Sequence, residues 1–157
     1  MTIIAFCDIH GHIDNLQRLI PTIEKADMAI FLGDGEGALE TLPNQIYKKL
    51  IAVGGNSDLF SALPSEMLIE IAGKKFFITH GHGYGVKNGY DRIAIAARDY
   101  KADVTLWGHR HESHKEVRDG RLLVGVPPLG TTRTQEGNSY LEIKIVDGKV
   151  TTENRTV

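Results

Sequence analysis

An α/β fold of two β-sheets packed face to face, with helices outside, is predicted by three features of the sequence. Short apolar runs alternate with helical spacing in the first half, the βαβ pattern of a parallel sheet. Alternating runs joined by Asp-Gly turns dominate the last third, as in antiparallel hairpins. Five of the apolar runs also end in metal-capable side chains. These are Ile3 to Asp8 and His10, Ala29 to Asp34, Leu50 to Asn56, Phe76 to His80, and Val104 to His109 and His111.

Taken in order, Thr2 to Cys7 is almost continuously apolar, which suits a strand covered on both faces. Asp14 or Asn15 can cap a helix through Ala26 that carries Leu16, Leu19, Ile20 and Ile23 on one side. Pro21 inside it implies a kink or a late restart. Met28 to Leu32 is the second buried strand, followed by the turn Gly33-Asp34-Gly35-Glu36-Gly37 and a short helix to Leu42. Lys48 to Val53 is the third strand. Met67 to Ala72 and Lys75 to Thr79 flank a tight hairpin at Gly73-Lys74. Val86 to Tyr100 has helical spacing at Ile93, Ala94, Ala97 and Tyr100, and Asp103 to Trp107 is the strand leading to His109 and His111. Asp119-Gly120 and Asp147-Gly148 turn hairpins, and Tyr140 to Val146 alternates between them. With no linker and no internal repeat, residues 1–157 read as one domain.

Composition bounds the function. The chain of 157 residues is 41% hydrophobic and 24% charged, with a formal net charge of −2. That balance excludes the broad basic face of a non-specific nucleic-acid binder. It permits a small anionic substrate, because bound metal would supply local positive charge. Cys7 is the single cysteine, so no intrachain disulfide forms, in keeping with a reducing compartment. The apolar run after Met1 is too short for a signal segment, and no stretch is long enough to span a membrane. A cytoplasmic protein is expected.

In open α/β sheets, ligands bind beyond the carboxyl ends of the strands. Asp8, His10, Asp34, Asn56, His80, His109 and His111 therefore converge if their strands are neighbours. Seven ligands exceed one tetrahedral ion but suit two divalent ions completed by water. Imidazole and carboxylate without thiolate fit Mn, Fe, Zn, Ni or Co rather than a structural zinc, and manganese is placed first. Two such ions form a clamp for phosphoryl centres, with a metal-bridging hydroxide as nucleophile.

Asp8-Ile-His10-Gly11, Gly33-Asp34, Gly55-Asn56, His80-Gly-His82 and Gly108-His109-Arg-His111 resemble, in order and spacing, the calcineurin-like metallophosphoesterase superfamily. Short length and Gly55-Asn56-Ser57-Asp58 look most like its small phosphodiesterase branch, which also contains Vps29-type scaffolds. The resemblance covers essentially the whole chain and implies a four-layer α-β-β-α sandwich of two mixed sheets. It implies that Asp8, His10, Asp34 and His111 hold one metal, and that Asp34 (bridging), Asn56, His80 and His109 hold the other. A phosphodiester or other small phosphate-ester substrate follows from it; a non-catalytic scaffold and a phosphomonoesterase or protein phosphatase are the alternatives.

Departures from the family pattern carry their own expectations. Ser57 stands where the protein-phosphatase branch has a leaving-group-protonating histidine, so good leaving groups are favoured. Arg110 replaces a small hydroxyl residue; it reaches a substrate phosphate or points into solvent. Val126-Pro-Pro-Leu-Gly130 alters a family turn, with Arg133 and Ser139-Tyr140 retained. His82 contacts substrate, supports a ligand, or is a plain loop residue. Asp58 is read equally as a helix cap or a catalytic group, Cys7 as a core filler, His12 as a loop residue and His114 as an exposed strand position. A homodimer is left open.

Overall fold

The alternation of Ile3, Ala5 and Cys7 against Ile4 and Phe6 shows why the first strand is apolar throughout. The odd residues pack between two sheets, and the even ones pack under helices on the far side. This computed structural model describes residues 1–130 and 136–157; Arg133 lies outside the described residues.

In the first sheet, β1 (Thr2–Phe6), β2 (Met28–Phe31) and β3 (Leu50–Ala52) run parallel. The hairpin of β9 (Ser139–Val146) and β10 (Lys149–Thr156) joins the other side of β1 antiparallel, giving the order β10-β9-β1-β2-β3. In the second sheet, β5 (Lys74–Thr79), β6 (Val104–Trp107) and β8 (Arg121–Gly125) are parallel. Antiparallel β4 (Glu66–Ile71) and β7 (His114–Arg118) close its two edges, in the order β4-β5-β6-β8-β7. Both sheets are mixed, as expected.

Three apolar layers hold the sandwich together. Ile3, Ile30 and Leu141 of the first sheet meet Phe76, Leu106 and Val124 of the second in a central core. Outside the first sheet, α1 (Ile13–Lys25) buries Leu16, Leu19 and Ile23 against Ile4, Phe6 and Phe31. Outside the second, α3 (Asp91–Asp99) buries Ile93 and Ala97 against Phe77, Trp107 and Leu123. Each helix presents its apolar stripe inward at the 3.6-residue period. The architecture is the expected α-β-β-α arrangement.

Local readings shift. Neither Asp14 nor Asn15 caps α1: His12 holds the N-cap position, and buried Asn15 donates instead to the Leu129 carbonyl and to Asn138 Oδ1, each at 2.8 Å. The helix passes through Pro21 without interruption. The first tight turn is Ala72-Gly73, both at positive φ, one residue earlier than read. A 3-10 turn spans Glu36–Thr41, and a short helix α2 (Asn44–Tyr47), absent from the sequence reading, precedes β3. Among the described residues, no helix is long and apolar enough to cross a membrane.

Candidate metal centre

The C-terminal ends of β1, β2, β5 and β6 deliver their side chains to one place. Two sets form, Asp8 with His10 and His111, and Asp34 with His80 and His109, each offering ligand atoms within 4.8 Å of one another. The β1 and β2 ends are stitched together by Asp8 N–H to the Gly33 carbonyl at 2.9 Å and Ile9 N–H to the Asp34 carbonyl at 2.7 Å. The β6 end is brought in by His109 N–H, which donates to Asp8 Oδ2 at 2.9 Å. Gly108 permits that approach: a Cβ there would lie 2.7 Å from Asp8 Oδ2 and from Cys7 Sγ.

Asp34 joins the two sets. Its Oδ2 lies 3.6 Å from His10 Nε2 and 3.3 Å from His80 Nε2. In the first set, His10 Nε2 and His111 Nε2 face each other at 3.1 Å, while Asp8 Oδ1 is 3.6 Å from one and 3.1 Å from the other. In the second, His80 is fully buried and its Nδ1 lies 2.7 Å from the Leu32 carbonyl, so Nδ1 carries a proton and Nε2 is turned toward Asp34. Burial lowers the His80 pKa, but the Asp34 and Asp8 carboxylates raise it overall. That Nε2 has no hydrogen-bond partner. A buried imidazole nitrogen without a partner, beside a carboxylate and among further imidazoles, is a donor set suited to a divalent cation.

Backbone conformation marks the same residues. Asp8, His10, Asp34, His109 and His111 all have φ between 44° and 67°, the left-handed region that non-glycine residues rarely occupy. Such strain persists only where surrounding contacts over-determine it, and here it collects at the strand ends that carry the cluster.

Electrostatics keep the carboxylates ionised. Burial raises Asp8, but the His10 imidazole beside it and a hydrogen bond from His111 outweigh it and leave the carboxyl far below the usual range. For Asp34, burial is overcome by the adjacent His80 imidazole and by hydrogen bonds from Ser57, and the pKa falls to about 2. Burial, then the nearby His80 and Lys87, push His109 down to about 4, so it is neutral and can offer a lone pair at neutral pH.

Asn56 is exposed on the loop after β3, between Gly55 and Ser57. Ser57 donates from its backbone N–H to Asp34 Oδ1 at 2.8 Å and from its hydroxyl to Oδ2 at 3.0 Å. Asn56 is thus the chain neighbour of a residue that binds the Asp34 carboxylate. His82 is exposed, with its ring centroid 5.5 Å from that of His80 and 6.1 Å from that of His109, at the rim of the second set. Arg110 does not simply point into solvent. Its guanidinium donates to Glu112 and to the Val86 and Lys87 carbonyls, and lies 5.5 Å from the centre of the Tyr90 ring.

The sequence reading missed what Asp58 does. It is no helix cap: its two oxygens accept the backbone N–H groups of Asp34, Gly35, Glu36 and Gly55 at 2.7–2.8 Å. The Asp three residues after Gly55 was the available signal, but nothing in the sequence showed that three of its four partners lie more than twenty positions upstream. His114 also differs from expectation, being partly buried and stacked on Tyr90 at 3.8 Å between centroids.

Comparison with known proteins places this geometry. Residues 1–148 match the Calcineurin-like phosphoesterase superfamily domain. A probable metallophosphoesterase, YsnB of Bacillus subtilis (strain 168), is 30% identical over 141 residues, covering 89% of this chain and 82% of its own. The phosphodiesterase MJ0936 of Methanocaldococcus jannaschii is 28% identical over 171 residues, covering 91% and 98%. Among solved structures, zinc-complexed wild-type Vps29 from Entamoeba histolytica superposes with a TM-score of 0.71 at 20% identity, over 99% of this chain and 98% of that one.

Proposed function

The chain belongs to the calcineurin-like phosphoesterase superfamily, and on that premise we propose that it is a divalent-metal-dependent phosphodiesterase with a dinuclear centre. The observation that carries this reading is the position of Asp34 Oδ2, 3.6 Å from His10 of one ligand set and 3.3 Å from His80 of the other. A carboxylate so placed suits a bridge between two ions. Asp8, His10 and His111 would hold one, and His80 and His109, with Asn56 from the β3 loop, would complete the other. Manganese is the first choice, with iron, nickel and zinc compatible with the same donors. When bound, the pair supplies Lewis acidity and makes water a nucleophile near neutral pH.

The protein's own groups prepare that chemistry. His80 is held in one tautomer by the Leu32 carbonyl, so its Nε2 points inward without needing to turn. Ser57 and the clasp at Asp58 fix Asp34 from both sides. His82, at the rim of the second set, is placed to meet a phosphoryl oxygen. Arg110 acts by tying the 86–87 loop to the end of β6 rather than by meeting substrate. The Ser57 hydroxyl is committed to Asp34, so no group beside Asn56 is suited to protonate a leaving alkoxide. Activated diesters are therefore favoured over alkyl monoesters.

Hydrolysis of bis-p-nitrophenyl phosphate by metal-stripped protein, with Mn²⁺, Ni²⁺, Zn²⁺ or Mg²⁺ added back, tests the reading. Metal-restored turnover that disappears in Asp34→Asn is expected. Ion binding without turnover on any activated ester would replace the enzyme with a scaffold.

A further inference from the structure

Beside the metal centre lies an open groove of ≈ 840 Å³ whose lining differs from what a phosphate site would need. One wall carries Ser57 and Asp58, the residues that hold Asp34. The rest includes Tyr47, Leu59 and Phe60 together with Glu36 and Glu40. Phe60 is fully exposed, Leu59 nearly so, and Tyr47 presents much of its ring. Phe60 is also held at φ 63°, a conformation that aromatic residues rarely adopt, so the loop keeps this ring outward at a cost. Among the described lining residues there is no lysine or arginine.

We infer that this groove receives an organic group of the phosphodiester and selects a cationic amine, of the quaternary ammonium type, over neutral or anionic groups. Two aromatic rings and two glutamates without a countercharge are complementary to a weakly hydrated cation, which is attracted both to ring faces and to carboxylates. The same field disfavours a nucleoside polyphosphate, whose extra charges would meet Glu36 and Glu40. Adjacency to the metal centre points to the occupant. Ser57 and Asp58 line the groove and also bond Asp34, so a phosphodiester held at that centre would extend one substituent past Ser57 toward Tyr47 and Phe60. The inference rests on the phosphodiesterase reading for its reaction, but not for the binding itself.

The test compares the p-nitrophenyl phosphodiesters of choline and of 3,3-dimethylbutanol, its uncharged isostere, on Mn²⁺-loaded protein. The two share a leaving group, so the chemistry is common and the ratio of kcat/KM reads the groove alone. A preference for the choline ester of about two- to fivefold is expected, the size of a solvent-exposed cation–ring contact. It should fall toward unity in Phe60→Leu, which keeps bulk but removes the ring, and in Glu40→Gln, which removes charge at constant shape. Both side chains are exposed, so neither change threatens the fold. Equal rates on the two esters, or a preference unaltered by both substitutions, would overturn the inference. Should neither ester be hydrolysed, NMR titration with choline and with 3,3-dimethylbutanol decides the matter. Perturbation of the Tyr47 and Phe60 ring signals by choline alone sustains the groove while sinking the phosphodiesterase; equal or absent perturbation overturns it.

Discussion

Asp58 Oδ2 accepts the backbone N–H of Asp34 at 2.8 Å, while the Asp34 carboxylate faces the other way into the histidine cluster. The same Asp58 carboxylate takes N–H groups from Gly35, Glu36 and Gly55, so one side chain pins the loop after β2 to the loop after β3. Four amide donors around one carboxylate form an anion nest, and the candidate ligand Asp34 sits in its wall.

Asp58→Asn should therefore cost about 2–3 kcal/mol, because an amide replaces one acceptor oxygen with a donor facing N–H groups. The loss should depend on pH with a definite sign. Burial raises the Asp58 pKa, but its four backbone donors more than compensate and leave it lowered. Its contribution is thus fully present above the unfolded-state value near 4, and is lost as pH falls through the lower folded-state value. Urea unfolding of both proteins at pH 6 and pH 3 checks this. A gap between them that widens in acid would contradict the clasp.

Gly55→Ala should be more damaging than its size suggests. A Cβ on Gly55 would lie 2.1 Å from Asp34 Oδ1 and 2.5 Å from Asp34 N, so both the ligand carboxylate and its backbone must move. A loss of more than about 3 kcal/mol, or of one of two bound ions, is expected. Gly37→Ala provides the contrast, since nothing lies within 4 Å of its added methyl. That change should stay within about 1 kcal/mol of wild type. Thermal melts with parallel metal analysis distinguish the two.

What could be read beforehand and what could not follows from how each feature is encoded. Asp8, Asp34, His80 and His109 were legible because each ends a local apolar run, and a sheet fixes where strand ends go. The two-sheet packing was legible from the same runs, since a strand such as Thr2 to Cys7 needs cover on both faces. The left-handed backbone at Asp8 and His10 was not, because Asp and His only modestly favour positive φ and the conformation is imposed by neighbours. Asp58 was misread for a related reason. A polar side chain's partners are set by tertiary approach, and local spacing says only that it can hydrogen-bond. The cap of α1 failed likewise, because Asn15 found stronger partners in Leu129 and Asn138.

His80 offers a direct readout of the metal centre. Its Nδ1 lies 2.7 Å from the Leu32 carbonyl and its Nε2 has no hydrogen-bond partner, an arrangement that a cation would complete. Addition of Mn²⁺ or Zn²⁺ to stripped protein should raise the Tm by several degrees, since a ligand bound only to the folded state stabilises it. His80→Ala should abolish most of that rise. A ¹⁵N spectrum of the Zn²⁺-loaded protein should show His80 with the proton on Nδ1. A proton on Nε2 would remove it from the ligand set.

Ser57 holds Asp34 rather than a leaving group. It reaches Asp34 by two bonds, one from its backbone at 2.8 Å and one from its hydroxyl at 3.0 Å. Ser57→Ala removes only the second, so a loss of about 0.5–1.5 kcal/mol, or at most about tenfold in kcat/KM, is expected. The slope of rate against leaving-group pKa should remain steep and the same in both proteins, because a hydroxyl bonded to a carboxylate has no proton to give an alkoxide. A series of aryl phosphodiesters spanning good and poor leaving groups measures that slope. If it were shallow in the wild type and steepened in Ser57→Ala, Ser57 would be protonating the leaving group. The preference for activated diesters would then have to come from elsewhere in the site.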